Sequence, residues 1–200
     1  MNMTLPVMET FYSIQGEGYY QGHAAFFIRL AGCDVGCVWC DVKESWDAGL
    51  HARKTISELV NEVKKTAAEI VIITGGEPLM HDCTELTYEL TKAGYRTHLE
   101  TSGAYSLSGH WDWICVSPKK FKAPVSSILL QANELKVVVF NKSDFDWAVE
   151  YANKVSASCQ LFLQPEWGKE KEVLPLITEF IHQYPTWKLS LQIHKYMNVR

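Results

Sequence analysis

The chain has 200 residues, of which 47% are hydrophobic and 21% are charged, and its formal net charge is −4. This composition is typical of a globular protein and excludes a disordered chain, while the length suits a single domain over residues 1–200. The slightly acidic balance argues against nucleic-acid and membrane partners. Since residues 1–9 lack the pattern of a secretory signal and no apolar run could cross a bilayer, we expect a cytoplasmic protein.

Apolar runs alternate with amphipathic segments along the chain, which predicts strands connected by helices. After a polar, glycine-spaced segment at residues 13–18, seven strands are predicted at residues 24–30, 69–74, 96–100, 113–116, 134–140, 160–164 and 188–193. Four helices are predicted at residues 55–66, 82–94, 144–155 and 173–184, with no helix between the three strands around Leu99, Cys115 and Val138. Strands separated by helices favour parallel βα units. Because four helices are too few for a complete barrel, the predicted fold is α/β: a partial, open, TIM-like barrel of mostly parallel strands.

Three of the six cysteines, Cys33, Cys37 and Cys40, lie within eight residues directly after the first predicted strand. In a reducing compartment such cysteines indicate metal binding or catalysis more than disulfides. Their thiolates could hold an iron–sulfur cluster, and a cubane usually has four protein ligands. With three local thiolates, one iron would remain for a ligand that is not protein. The isolated cysteines are interpreted as small buried hydrophobic residues: Cys83, Cys115 and Cys159.

Five polar loops marked by glycine or proline follow predicted strands. They are the cysteine loop and residues 75–78 (GGEP), 101–103 (TSG), 117–119 (SPK) and 164–165 (QP). Each alone could be an ordinary turn. In a parallel barrel, however, loops that follow strands share the C-terminal face, where active sites form. Together the five loops predict one large site at that face.

Arg29 is the one charged residue in the apolar run 24–30. A buried guanidinium is costly unless it is paired. We therefore expect Arg29 to face an anion or a polar cavity.

The order of these motifs resembles the radical S-adenosylmethionine (SAM) superfamily. The resemblance rests on the C-x3-C-x2-C spacing with Trp39 before the last cysteine, and on GGEP after the next strand. It implies that the three cysteines bind three irons of a [4Fe–4S] cluster while the amino and carboxylate groups of SAM chelate the fourth. An electron from the cluster then cleaves SAM into methionine and a 5′-deoxyadenosyl radical. The protein's part is to position the cofactor and exclude solvent.

Nearly the whole chain is similar, more narrowly, to the family of 7-carboxy-7-deazaguanine synthases of queuosine and deazapurine biosynthesis. The matching motifs are SIQGEG (13–18), FIRLAGC (27–33), CD (40–41), GGEP (75–78), ETSG (100–103), SPK (117–119) and QIHKY (192–196). The family converts 6-carboxy-5,6,7,8-tetrahydropterin to 7-carboxy-7-deazaguanine and releases ammonia. The resemblance also implies a homodimer and an electron donor such as flavodoxin or ferredoxin.

The resemblance assigns the remaining site residues by motif. The SAM-binding set is Trp39, Cys40, Asp41, Gly75, Gly76, Glu77, Pro78, Gly103, Ser117, Pro118 and Lys119. The pterin-binding set is Ile14, Gln15, Gly16, Arg29 and Thr101, where Arg29 would make a forked contact to the substrate carboxylate. Glu17 and His194 are candidates for pterin contacts or for proton transfer, although His194 could equally be a structural surface histidine.

One position departs from that family. Two residues after the last cysteine the family commonly has a threonine or serine whose hydroxyl helps hold a magnesium ion; here the residue is Val42. Magnesium needs oxygen ligands, and valine offers none. We therefore expect this protein to depend less on magnesium than the family does.

Three other interpretations remain open at this point. A glycyl-radical activating enzyme is a second radical SAM possibility, but such enzymes lack the two terminal motifs. A structural zinc module would need a fourth ligand, for which Asp34 or Asp41 is the nominal candidate. A thioredoxin-like dithiol at Cys37 and Cys40 lacks the surrounding fold pattern.

Overall fold

Parallel strands joined by helices form one sheet of nine strands in a computed structural model that describes residues 3–200. Met1 and Asn2 lie outside the described residues. They belong to residues 1–9, in which no secretory signal is predicted. The strands are β1 Thr4–Ile14, β2 Ala24–Leu30, β3 Arg53–Thr55, β4 Ile70–Gly75, β5 Arg96–Thr101, β6 Trp113–Val116, β7 Glu134–Val139, β8 Gln160–Pro165 and β9 Trp187–Leu189.

The strand order is β3-β1-β2-β4-β5-β6-β7-β8-β9. All neighbours from β2 to β9 pair in parallel, whereas β1 is antiparallel to both β2 and β3. Within residues 3–200, β3 and β9 lie at opposite edges, so the sheet stays open. The predicted partial barrel of mostly parallel strands is confirmed.

The helices are α1 Ile56–Val63, α2 Thr84–Lys92, α3 Ser126–Leu129, α4 Ser143–Ala152, α5 Glu170–Gln183 and α6 Ile193–Met197. The four predicted helices are present as α1, α2, α4 and α5, and the predicted capping box of Thr55 and Glu58 begins α1. None of the helices within residues 3–200 reaches the length and hydrophobicity needed to cross a lipid bilayer.

Four sequence predictions about the elements are wrong. The eleven-residue strand β1 was not predicted, and only its last two residues, Ser13 and Ile14, lie in the polar segment. Its pairing with β2 and β3 stabilises it, although its side chains are mostly half-buried. The three-residue strand β3 is also additional, and so is the short helix α3 between β6 and β7. The predicted strand at 188–193 ends at Leu189, and α6 begins at Ile193, whose N–H donates to Gly16 O at 3.0 Å.

Successive side chains of each parallel strand point to opposite faces of the sheet, so the core and the site lie on different faces. On β2, Phe26, Ile28 and Leu30 pack with α1 and α2 in one apolar cluster. The opposite face begins with Ala25 and Phe27, which lie in a second apolar cluster, and then changes to the charged Arg29. The carboxyl ends of the strands therefore present polar side chains on the face away from the helices.

Candidate active site

The cysteine loop is held by hydrogen bonds to two neighbouring segments. Cys33 N donates to Trp46 O at 3.1 Å, and Gly32 N donates to Ser45 O at 2.6 Å. From the following β4 loop, Glu77 N donates to Gly32 O at 2.8 Å. The loop's position is therefore set by backbone bonds on both sides, which leaves its thiols available for other ligands.

Cys33, Cys37 and Cys40 line a common cavity of about 300 Å³ at the carboxyl ends of the strands. All six cysteines are free thiols. Among residues 3–200, no three His, Cys, Asp or Glu side chains gather closely enough to hold a single metal ion. In a cubane each cysteine binds a different iron, so three thiols spread around a cavity fit a [4Fe–4S] cluster.

The protonation of these thiols is consistent with metal ligands. Burial raises the pKa of Cys37 to about 11 and also raises the pKa of Cys33. The nearby ammonium of Lys119 lowers the pKa of Cys37 but does not overcome the effect of burial, so this thiol is protonated at neutral pH until more positive charge is bound. Iron ions supply such charge, and thiols lose their protons when they bind it.

Two glycines of the β4 loop allow backbone segments to approach each other. Gly75 has φ +141, and a side chain there would overlap Leu30 O on β2. At Gly76 a Cβ would overlap Gly32 O and crowd the Cβ of Cys33. Any larger residue would push the β4 loop away from the cysteine loop, so both glycines are needed for the two loops to form one wall of the cavity.

Glu77 connects the β4 and β5 loops through its side chain. Its carboxylate is 1% exposed and accepts four hydrogen bonds. The donors are Leu79 N at 3.1 Å, Thr101 Oγ1 at 2.5 Å, Ser102 N at 2.8 Å and Ser102 Oγ at 2.5 Å. Since each of its two oxygens already accepts two hydrogen bonds from the protein, Glu77 shapes the cavity by holding two loops together.

A second, adjoining cavity of about 160 Å³ is lined by residues of the predicted pterin set: Ile14, Gln15, Gly16 and Arg29. Glu17, Arg29, Val42 and several polar residues line both cavities. The two cavities are thus compartments of one site, the larger beside the cysteines and the smaller beside β1 and the chain's last residues.

Arg29 is paired, as its position in an apolar strand requires. Its Nε donates to Glu9 Oε1 at 2.9 Å, and the guanidinium lies 5.9 Å from the centre of the Phe11 ring. Glu9 also pairs with Arg200 through its other oxygen. Arg29 nevertheless lines both cavities, where a planar guanidinium suits a carboxylate.

Glu17 is ionised and bound within the site. Burial by itself would raise its pKa, but the attraction of Lys136 and hydrogen bonds from Lys136 and Gln192 lower it to about 2. Glu17 Oε2 lies 2.7 Å from Lys136 Nζ. The group is therefore a hydrogen-bond acceptor over the whole physiological range.

His194 lines the smaller cavity from α6. Burial lowers the pKa of its imidazole, with Glu17 opposing that effect. Gly16 lies so close to the ring that a Cβ there would overlap Nδ1. The neutral, half-buried ring thus has both a hydrogen-bond donor and an acceptor for a ligand.

Most of the predicted site residues line one of the two cavities, including Trp39, Asp41, Ser117, Lys119 and Thr101. Pro78, Gly103 and Pro118 are buried and do not line either cavity. The cavities also contain polar residues that the sequence reasoning missed: Thr74, Glu100, Ser102, Lys136, Gln192 and Lys195. Sequence reasoning could have found Lys136, because it is the only lysine in the apolar run 134–140.

The proteins to which this chain is similar are consistent with a radical SAM site at this position. Residues 27–114 match the model of the radical SAM superfamily. A 7-carboxy-7-deazaguanine synthase from Flavobacterium psychrophilum is 52% identical over 98% of this chain and 92% of its own length. The chain belongs to the 7-carboxy-7-deazaguanine synthase family.

More distant members of the 7-carboxy-7-deazaguanine synthase family also align with nearly the whole chain. The synthase from Escherichia coli strain K12 is 33% identical over 98% of this chain and 100% of its own. The crystal structure of QueE from Escherichia coli superposes with a TM-score of 0.84 at 31% identity, covering 94% of this chain and 93% of the other. Membership over the full length excludes the zinc-module and dithiol interpretations, and it makes the protein a radical SAM enzyme that uses a [4Fe–4S] cluster and SAM.

Proposed function

We propose that the protein converts 6-carboxy-5,6,7,8-tetrahydropterin to 7-carboxy-7-deazaguanine with loss of ammonia, in queuosine or deazapurine biosynthesis. The observation that carries this proposal is the 52% identity, over nearly the whole chain, to a relative named for that product. The adjoining cavities support it, because one is lined by three thiols and the other by paired charges suited to a polar heterocycle.

In this proposal Cys33, Cys37 and Cys40 would hold the cluster, and SAM would bind beside it. The cluster and SAM together supply the radical that starts the reaction. The β4 loop, Asp41, Ser117 and Lys119 surround the SAM side of the cavity. Lys119 Nζ donates to Ser117 O at 2.7 Å and lies 5.6 Å from the centre of the Trp39 ring, so the ammonium and the indole have a defined arrangement there.

The smaller cavity would bind the pterin. Arg29 would face its carboxylate, Ile14 to Gly16 would follow the ring with their backbone, and Glu17 and His194 would contact ring nitrogens. The neutral His194 could also move a proton when ammonia leaves.

Anaerobic turnover tests the proposed reaction. The purified protein, with its cluster reconstituted, is incubated with SAM, a reductant and carboxytetrahydropterin. We expect carboxydeazaguanine and ammonia as products, identified by mass spectrometry. A protein with an intact cluster that cleaves SAM but leaves this pterin unchanged would return us to the activating-enzyme interpretation.

The side chain of Val42 borders both cavities, at the position where the family's magnesium ligand is expected. We propose that turnover depends only weakly on magnesium, because valine has no oxygen ligand. The measurement is the turnover rate with added magnesium and with a chelator. Marked stimulation of the unmodified protein by magnesium would contradict the proposal.

A threonine at this position provides the complementary test. Val42→Thr adds a hydroxyl of nearly the same shape, so we expect its turnover to gain a magnesium response. Val149→Thr is the matched control, since it makes the same change at a side chain of α4 that is 39% exposed and lies outside both cavities. The control should respond to magnesium as the unmodified protein does.

The domain organisation, the cellular location, the oligomeric state and the electron donor are also proposals. We propose a single domain, which the continuous nine-stranded sheet supports, in a cytoplasmic homodimer. We also propose reduction by a flavodoxin or ferredoxin. Support for docking near the cluster comes from Val38 and Phe121, which are 67% and 46% exposed; Val38 lies in the cysteine loop, and the Phe121 ring is 6.5 Å from that of Trp39.

A further inference from the structure

Lys136 is an unusual residue for its place in the sheet. It lies in the middle of β7 and is 3% exposed, yet it is a lysine among apolar neighbours. A buried ammonium is unfavourable unless opposite charges surround it. Lys136 also lines the larger cavity, so its side chain lies on the face of the sheet that forms the site.

Two carboxylates compensate the charge of Lys136. Its Nζ is 2.7 Å from Glu17 Oε2 and 2.9 Å from Glu100 Oε2. The other oxygen of each carboxylate accepts from an amide side chain: Glu17 Oε1 from Gln192 at 2.8 Å, and Glu100 Oε1 from Gln15 at 3.2 Å. The ammonium therefore bridges two acids that come from different segments of the chain.

Glu17 and Glu100 both line the two cavities. A pterin presents several N–H groups along its pyrimidine edge, and these need acceptors when they are buried. A carboxylate accepts hydrogen bonds with both oxygens only when it is ionised. An ionised pair at fixed spacing would thus recognise that edge.

Resting on the proposed function, we propose that Lys136 is a positioning residue that holds the carboxylates of Glu17 and Glu100 at the spacing needed to accept the N–H groups of the pterin. Lys136 itself need not touch the substrate. Its role is to hold two negative charges side by side at the boundary between the two compartments.

Removal of Lys136 would leave two buried acids without their shared cation. The pKa of Glu17 would then rise, because burial raises it and the attraction and hydrogen bond of Lys136, which lower it, would be lost. The charged or titratable groups that influence Lys136 or Glu17 are Glu100, Cys115, Lys119, Glu134 and His194. Of these, Glu134 is buried with a raised pKa and His194 has a lowered pKa, both through burial, so neither replaces the charge of Lys136 at neutral pH.

The test compares the pH dependence of kcat/KM for holoenzyme variants with carboxytetrahydropterin, together with the substrate Kd. For Lys136→Met we expect kcat/KM to fall about 10- to 100-fold near pH 7, the loss of one charge-assisted hydrogen bond. This deficit should shrink as the pH rises, because the protonated acid loses its proton. In the unmodified enzyme Glu17 has a pKa of about 2 and adds no such dependence.

Two further variants separate positioning from folding. Glu100→Gln keeps the shape of the side chain but cannot ionise, so its deficit in kcat/KM should not recover at high pH. This variant also replaces Lys136→Met in the test if Lys136→Met does not fold. Lys54→Met is the matched control, since Lys54 Nζ pairs with Glu62 at 2.6 Å outside both cavities and should keep the unmodified pH profile.

The outcomes distinguish this inference from the proposed function. An active unmodified enzyme whose Lys136→Met variant keeps the same pH profile, or whose Glu100→Gln variant keeps the same kcat/KM and Kd, would overturn only the positioning role. An unmodified holoenzyme that neither binds nor converts the pterin would overturn the proposed function and this inference with it.

Discussion

Cys37→Ala is expected to abolish product formation and to prevent stable assembly of the cluster. Cys37 is buried and is one of the three thiols that line the larger cavity. With two cysteines left, a second iron would lack a protein ligand, and the cluster would lose its attachment to the middle of the loop. The measurements are iron and sulfide content, the visible absorption of the anaerobic protein, and product yield.

Cys159→Ala is the matched control for that substitution. Cys159 is also buried, but it lies just before the amino end of β8, at the far end of the strand from the site. We expect this variant to keep its cluster and its turnover and to lose about 1 kcal/mol of folding free energy, the ordinary cost of a core substitution. Full cluster content and turnover in Cys37→Ala would contradict the assignment of the three ligands.

Glu77→Ala is expected to destabilise the site more than any other single change among the loop residues. The carboxylate receives four hydrogen bonds from Leu79, Thr101 and Ser102, and the substitution leaves these buried donors without a partner. Unmade buried hydrogen bonds cost about 1–3 kcal/mol each, so we expect a loss of at least about 3 kcal/mol. For a chain of this size that lowers the midpoint of thermal unfolding by roughly 6–12 °C.

The Glu77→Ala substitution should also lower the affinity for the cofactor. Because Glu77 joins the β4 and β5 loops, its loss should also weaken SAM binding, which is measured by equilibrium binding to the reconstituted protein. Glu58→Ala is the control: Glu58 is exposed in the capping box of α1, away from both cavities, and its removal should leave SAM affinity unchanged. An unchanged unfolding midpoint in Glu77→Ala would show that the four bonds do not stabilise the loops.

Local sequence was sufficient to predict a cysteine loop that lines a cavity at the carboxyl ends of the strands. The spacing of Cys33, Cys37 and Cys40 places three thiols in one loop whatever the rest of the chain does. Likewise, strong apolar runs that alternate with helices specify parallel units, and the loops after such strands must meet at one edge. Arg29 could be predicted to need a partner, because the cost of burying a guanidinium does not depend on which partner is found.

Elements that depend on pairing with distant segments could not be predicted in the same way. Most side chains of β1 are only half-buried, so its pattern is weak, and its hydrogen bonds come from β2 and β3. The end of β9 and the start of α6 depend on a bond from Ile193 to Gly16, which lies 177 positions away in the sequence. Such contacts stabilise a conformation that local propensity does not select.

The sequence by itself therefore determined the order of the βα units and the family to which they belong, and it predicted the cluster ligands, because these depend on near neighbours and on hydrophobic periodicity. Only the tertiary structure decided that Lys136 bridges Glu17 and Glu100, which lie 119 and 36 positions away in the chain. It also decided that the carboxylate of Glu77 holds two loops together. Partnerships between buried charges depend on which strands become neighbours, and that information is carried by the whole fold.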